Sequence, residues 1–216
     1  MRAAVMRSPG VLEVKEVQEP SCPPGGVLLK VLASAVCGTD IKMLEKGHRD
    51  LTYPRIPGHE VVAEVLEADS SSIAPGDRVQ VWPGSSCGRC RHCLSGNDHL
   101  CPEVRIMGFN MDGGMAEIIA VEDASRLNPI GRADACLMTL AEPLACCINA
   151  QEKLDVRDGD RVLILGGGPL GCLNAFLARR RGAGTVMVSE PLPERLRTVP
   201  KGVIDRTVPP DAGSLM

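Results

Sequence analysis

Four cysteines, Cys87, Cys90, Cys93 and Cys101, share one short stretch in the spacing C-x2-C-x2-C-x7-C. Four thiolates on one loop can wrap a tetrahedral ion, and Gly88, Gly96 and Pro102 permit the turns that gather them. Zinc in a closed structural site is the natural reading, because no ligand position is left open. An iron–sulfur cluster is the rival, since C-x2-C-x2-C also occurs in bacterial ferredoxins. Disulfides fit less well. Met1-Arg2 is followed by no long apolar run, so no secretory leader is expected, and in a reducing compartment clustered cysteines point to metal. The chain is expected to be cytoplasmic.

Composition narrows the function classes. The 216 residues are 44% hydrophobic and 24% charged, ordinary globular values that exclude disorder and coiled coil. A net charge of −3 and only four aromatic side chains (Tyr53, Trp82, Phe109, Phe176) argue against a nucleic-acid partner. The uncharged run from Val162 to Ala178 contains four glycines and Pro169, so it reads as strand, turn and helix rather than a membrane span.

The first 130 or so residues predict short strands between Gly and Pro turns: Val11 to Val17, Gly26 to Val36, Val61 to Leu66, Asp77 to Trp82 and Gly114 to Val121. That spacing suggests a β-barrel or compact sandwich. Ala133 to Leu154 then reads as helical, with Pro143 starting or kinking a segment. A βαβ unit follows: a buried strand at Arg161 to Leu165, a glycine turn, a helix to about Arg181 and a buried strand at Thr185 to Ser189. The expected division is residues 1–152, with a metal lobe at about 84–104, and residues 153–216.

Gly166-Gly167-Gly168-Pro169-Leu170-Gly171 satisfies G-x-G-x-x-G between a strand and a helix, the context that gives this pattern its meaning. Gly166 permits the tight turn, Gly168 lets the backbone approach a pyrophosphate, and Gly171 lets helix and strand pack closely. Pro169 and Leu170 open the helix, whose N-terminus supplies donors and a favourable dipole. Glu190, at the end of the second strand, is placed to accept the adenosine ribose hydroxyls and repel a 2′-phosphate, which favours NAD over NADP.

Three further segments hold potential ligands: Cys37-Gly38-Thr39-Asp40, Gly58-His59-Glu60 and Ala141-Glu142-Pro143. Taken singly, Cys37 reads as a small core residue, His59 as a loop histidine and Glu142 as a helix-start carboxylate. Their order, together with the cysteine lobe and the glycine turn, resembles the zinc-dependent medium-chain alcohol dehydrogenases. The similarity is greatest to the polyol, sugar and threonine dehydrogenase branch, where Glu-Pro replaces a cysteine ligand. Gly76-Asp77-Arg78-Val79, Asp112-Gly113-Gly114-Met115-Ala116-Glu117 and Gly159-Asp160-Arg161-Val162 match as well.

The resemblance implies an α/β architecture: an N-terminal GroES-like β-barrel with a zinc lobe, then the start of a Rossmann domain. It implies a catalytic zinc on Cys37 and His59, with Glu142 as third ligand or holder of its water, and Glu60 as a carboxylate able to swing onto the metal. Asp40 would hold His59 in one tautomer, Thr39 would hydrogen-bond the substrate hydroxyl, and Arg195 would lie against the adenosine. Two zinc ions per chain, NAD, a small-molecule alcohol and a homo-oligomer complete what is implied. The relay histidine expected three residues after Thr39 is replaced by Lys42. Cys146 and Cys147 are expected in the core, and His92 and His99 at the surface.

After Arg197 the expected second helix is shortened or skipped, with Val203-Ile204-Asp205 resuming as a third strand. One βαβ half is present where a dinucleotide fold needs two, so the chain is expected to be C-terminally incomplete. A non-catalytic zinc-binding structural or regulatory domain, or an inactive truncated dehydrogenase, is the alternative.

Overall fold

The computed structural model describes residues 1–197, 199 and 202–208. They form two compact units, Met1–Glu142 and Pro143–Met216.

In the first unit, β1 (Arg2–Ser8) and β2 (Val11–Glu16) make an antiparallel hairpin. The main sheet joins β3 (Val27–Ala35), β4 (Glu60–Ala68), β5 (Arg78–Val81), β8 (Ile118–Val121) and β9 (Leu127–Pro129) in the order β8-β3-β4-β5-β9. All its pairings are antiparallel. Between them lie α1 (Gly38–Lys46), the two-residue strands β6 (Gly84–Ser85) and β7 (Arg105–Ile106), and α2 (Arg91–Leu94). A short helix α3 (Ala135–Met138) leads into α4 (Ala141–Lys153). The boundary between the units thus falls inside α4.

The core of this unit is aliphatic: Val27, Leu29, Val61, Ala63 and Val79 are fully buried. Each valine of this kind contributes about 1.5–3 kcal/mol relative to exposure. The β3–β4 register slips between Val31 and Ala33, so Val31 faces Ala63 and Ala33 faces Val62. The extra residue, Leu32, is left partly exposed, as a β-bulge requires. The strands expected from alternation are present, but Gly114 to Val121 is a strand only over its last four residues. Its N-terminal half is loop, because Gly113 and Gly114 pack against residues 57–61.

In the second unit, β10 (Arg161–Leu165), β11 (Thr185–Ser189) and β12 (Arg206–Val208) pair in parallel in chain order. The crossover between β10 and β11 is α5 (Pro169–Arg180), with Pro169 in the first turn, where a missing N–H costs nothing. Ala175 and Ala178 of α5 pack on Val186 and, more loosely, on Val162 and Ile164. β11 is buried as expected; β10 is not. Leu163 is 39% and Leu165 74% exposed. β10 is the edge strand, and α5 covers only the Val162 and Ile164 face, so the other face lacks a cover among the described residues.

Among the described residues the second helix is present only as α6 (Pro193–Leu196). The third strand begins at Arg206 rather than Val203, and Val203 instead joins the core beside α5. Thr198, Pro200 and Lys201 of that segment lie outside the described residues.

Candidate metal centres and nucleotide turn

The first centre is assembled by two segments meeting in the main unit. Cys37 caps α1: its Sγ accepts the Thr39 N–H, while Asp40 Oδ2 accepts the Cys37 N–H at 2.9 Å. Asp40 is 3% exposed, and its Oδ1 accepts the Gly58 N–H at 3.3 Å. One carboxylate therefore ties the start of α1 to the segment that carries His59.

That segment is held from its other side too. Gly58 adopts φ +98°, and a Cβ there would stand 2.9 Å from Met115 Cγ. Gly113 N–H and Met115 N–H donate to the Ile56 and Pro57 carbonyls, and Asp112 Oδ1 accepts from Ile56 N–H and Arg55 Nη1. The Asp112-Gly113-Gly114 motif is thus a bracket behind the Gly58-His59-Glu60 turn.

The outcome is a close group. One ligand atom each from Cys37, His59 and Glu60 lies within 4.8 Å of the others. Glu142, half-buried in the first turn of α4, stands outside that group but acts on His59, Glu60 and Asp40 through its charge. His59 Nδ1 faces Asp40 Oδ1 at 3.5 Å, an ion-pair distance without full hydrogen-bond alignment. Thr39 borders Cys37, and exposed Lys42 follows it one helical turn later.

Electrostatics show what this donor set favours. Contact with His59 pulls the Cys37 thiol below its ordinary pKa, against the opposing effect of burial. Burial works against charge on His59, but attraction to Asp40 and Cys37 outweighs it and lifts the imidazole to about 10. Burial pushes the Glu60 and Glu142 carboxyls up. One imidazole thus serves four acidic groups, a shortage of positive charge that a divalent cation on Cys37, His59 and Glu60 would relieve.

The lobe is the second centre. Ligand atoms of Cys87, Cys90, Cys93 and Cys101 also lie within 4.8 Å of one another. The Sγ–Sγ distances are 3.5 Å for Cys90–Cys93 and 3.9 Å for Cys87–Cys93. A tetrahedron with Zn–S arms of about 2.3 Å has edges of about 3.8 Å, so the sulfurs suit a single ion. A multi-iron cluster, with sulfides of its own between the thiolates, needs them further apart. Backbone N–H groups point at the sulfurs: Cys90 to Cys87, and Cys87 and Glu103 to Cys101. Donors from Arg89 and Cys90 lower the Cys87 thiol to about 7. Cys101 accepts from Cys87, yet burial and the neighbouring thiols raise it to about 11. Without a cation, the Cys87 thiolate forms readily and Cys101 resists ionisation. His92 is half-buried and His99 exposed, and neither belongs to the group. Arg89 pairs with Glu103 rather than with a thiolate.

In the nucleotide turn, Gly171 sits against Gly166: a Cβ on Gly171 would lie 1.9 Å from the Gly166 carbonyl oxygen. Gly168 leaves open space where its Cβ would stand, and Gly166 has φ +105°. Glu190 is buried, not a solvated loop acid. Its Oε2 accepts Gly167 N–H at 2.8 Å, its Oε1 accepts Leu192 N–H at 2.9 Å, and Arg195 stands 3.7 Å away, 56% exposed. Leu170 is exposed. Cys147 is in the core as expected, but Cys146 is exposed, since adjacent residues on a helix face different ways.

One neighbour of His59 belongs to no motif in the sequence. Phe109 packs edge-on to His48 at 5.5 Å and tilted on His59 at 5.6 Å. In a chain with so few rings, a lone Phe beside Gly108 was the available signal.

Residues 23–131, half of the chain, match the alcohol dehydrogenase GroES-like domain. The chain belongs to the zinc-type medium-chain dehydrogenase family. It is similar to D-altritol 5-dehydrogenase of Agrobacterium fabrum, 35% identical over 196 residues, covering 88% of this chain and 58% of that one. L-threonine 3-dehydrogenase of Pyrococcus furiosus is 36% identical over 203 residues, covering 92% and 58%. A zinc-binding dehydrogenase of Sinorhizobium meliloti, solved bound to NADP, superposes with a TM-score of 0.92 at 36% identity, covering 99% of this chain and 63% of that chain. This member of the family therefore spans about three-fifths of the length of the relatives it matches. No helix among the described residues is long and apolar enough to cross a membrane.

Proposed function

We propose that this chain is the zinc-binding and partial nucleotide-binding part of an oxidoreductase that moves a hydride from an alcohol carbon to NAD. The observation that carries the reading is the close group of Cys37, His59 and Glu60, two of them buried, with Asp40 behind the imidazole. Relatives named for altritol, idonate, threonine and sorbitol support a secondary hydroxyl on a small polyol, sugar acid or amino alcohol as the substrate.

Zinc at this centre would polarise the substrate hydroxyl, favouring loss of its proton near neutral pH. Cys37 and His59 would hold the ion, with Glu60 as a third donor and Glu142, in the first turn of α4, holding its water or replacing it. Asp40, engaging Nδ1, would leave Nε2 of His59 as the ligand atom. Thr39 would orient the substrate hydroxyl and take its proton onward. With Lys42 where a relay histidine is expected, that path continues through water or another group. The four lobe cysteines would hold a second, closed zinc that shapes the loop and takes no part in chemistry.

The Gly166, Gly168, Pro169, Leu170 and Gly171 turn would cradle the pyrophosphate of the dinucleotide, which accepts the hydride. Glu190 supports NAD, because its fixed carboxylate repels a 2′-phosphate. A second reading, NADP, draws on the exposed guanidinium of Arg195 beside it and on the NADP-bound relative. We take residues 1–152 as the catalytic domain of a cytoplasmic homo-oligomer, and 153–216 as the first part of its nucleotide domain.

The test is a panel of polyols, sugar acids, threonine and simple alcohols against the whole polypeptide, with reduction of NAD and NADP followed separately. Reduction with at least one hydroxyl substrate, abolished by Cys37→Ser, is expected. A zinc-loaded protein that reduces neither cofactor with any of them leaves the structural-domain reading instead.

A further inference from the structure

The nucleotide turn carries a glycine that its motif does not ask for. In G-x-G-x-x-G the second position is free, yet here it is Gly167. A Cβ on Gly167 would lie 3.3 Å from both Cβ and Cγ of Glu190 and 3.4 Å from Leu196 Cδ2. The missing side chain is what lets the acid come against the turn.

The end of β11 takes up the first two amides of the turn in succession. Gly166 N–H donates to the Ser189 carbonyl at 2.8 Å, and Gly167 N–H donates to Glu190 Oε2 at 2.8 Å. Oε1 accepts from Leu192 N–H at 2.9 Å, and the Glu190 side chain is 1% exposed, so its carboxylate is fixed in place. A hydrogen bond to an ionised acceptor is roughly twice as strong as a neutral one. Gly171 in turn sits directly on the Gly166 carbonyl, so a shift of Gly166 and Gly167 is passed to the first turn of α5. There the amides of Leu170 and Gly171 have no partner within the helix, and Pro169 has no N–H to give.

We infer that Glu190 is a positioning residue for the pyrophosphate as well as a partner for the ribose, holding Gly167 so that the Leu170 and Gly171 amides are aimed at the anion. The inference rests on the reading of this turn as the dinucleotide cradle. Two consequences separate it from a ribose role alone. The Gly167 bond stays made when nucleotide binds, because the remaining lone pairs of the carboxylate serve the ribose hydroxyls. Loss of the carboxylate also weakens a diphosphate that has no ribose hydroxyls, although removing a negative charge would by itself tighten an anion.

The probes are ADP and 2′,3′-dideoxy-ADP, titrated by calorimetry into the zinc-loaded whole polypeptide and its Glu190→Gln variant. Dideoxy-ADP should bind the variant about tenfold more weakly than the unaltered protein, the low end of what one hydrogen bond to a charged group contributes. Equal or tighter binding of dideoxy-ADP by the variant, with ADP still bound by the unaltered protein, overturns the positioning role and leaves the cradle standing. Failure of the unaltered protein to bind either nucleotide overturns the cradle and the inference together. Because the variant can lose the turn altogether, the unaltered protein supplies a second measurement. Its Gly167 amide, followed by hydrogen exchange, should exchange no faster with ADP bound than without it. Faster exchange in the ADP complex shows that the carboxylate has left the turn for the ribose, and overturns the proposal.

Discussion

Asp40 takes three partners at once: Cys37 N–H, Gly58 N–H and the His59 imidazole. Its removal loosens two of the three candidate ligands of the first centre without removing either. Asp40→Ala should therefore weaken zinc at that centre by about 10–100-fold, the range seen when the partner behind a ligand is lost. Competition with a chromophoric chelator measures this, and unchanged affinity would remove Asp40 from the ligand-positioning role. Glu190 supports a second prediction at this scale. Donors from Gly167 and Leu192 hold its carboxyl below the ordinary carboxylate range. A group with a depressed folded pKa stabilises the fold above its unfolded pKa of about 4.3, and that stabilisation fades as pH falls toward the folded value. Glu190→Gln should thus lower the urea midpoint at pH 7, with the gap from the unaltered protein closing as pH drops below about 4. A gap independent of pH would mean that the amide replaces the carboxylate without electrostatic loss.

Whole elements depend on single contacts in the same way, and the turn before α5 is the sharpest case. A methyl group on Gly171 would overlap the Gly166 carbonyl, backbone against backbone, so neither can yield alone. Gly171→Ala should destabilise the second unit by about 3 kcal/mol, the upper part of the usual range for one substitution. Hydrogen exchange would locate the loss: protection at Val186 and Val188 should fall while Val79 and Val81 keep theirs. Equal loss in both sets would show that the damage is not local to the turn. This glycine was legible in the sequence because the motif lies between a strand and a helix. The strands of the main sheet were legible for a similar reason, since Val and Ile recur between Gly and Pro turns. α1 was not. Its cap is a cysteine with Asp40 closing the capping box, so the usual Ser or Thr signal is missing. The aliphatic run of β10 predicts burial, but burial depends on neighbours, and an edge strand covered on one face leaves Leu163 and Leu165 exposed. Cys37, His59 and Glu60 were uninformative singly; their order along the chain carried the resemblance that grouped them, and Asp40 ties the two distant segments together in space.

For the molecule as a whole, the two centres differ in the chemistry of their donors, and that difference predicts how metal leaves. The lobe offers four sulfurs on one loop, enough to close a tetrahedron with no position for solvent. The Cys37 centre offers three mixed sulfur, nitrogen and oxygen donors brought from separate segments, where the lobe offers four. Metal analysis of the zinc-loaded protein should give about two zinc ions per chain. A chelator should remove them in two phases, the first from the Cys37 centre. Serine at Cys87, Cys90, Cys93 and Cys101 should eliminate the slow phase and keep the fast one, whereas Cys37→Ser should do the reverse. Cobalt substitution gives an independent check, because four thiolates produce a stronger sulfur-to-metal absorption than a single one. A single zinc that disappears with the lobe cysteines would withdraw the Cys37 centre from metal chemistry and with it the hydride-transfer reading. Two zincs released together would instead show that loss of one centre unfolds the other, and that the Asp112 bracket behind His59 depends on the lobe for its shape.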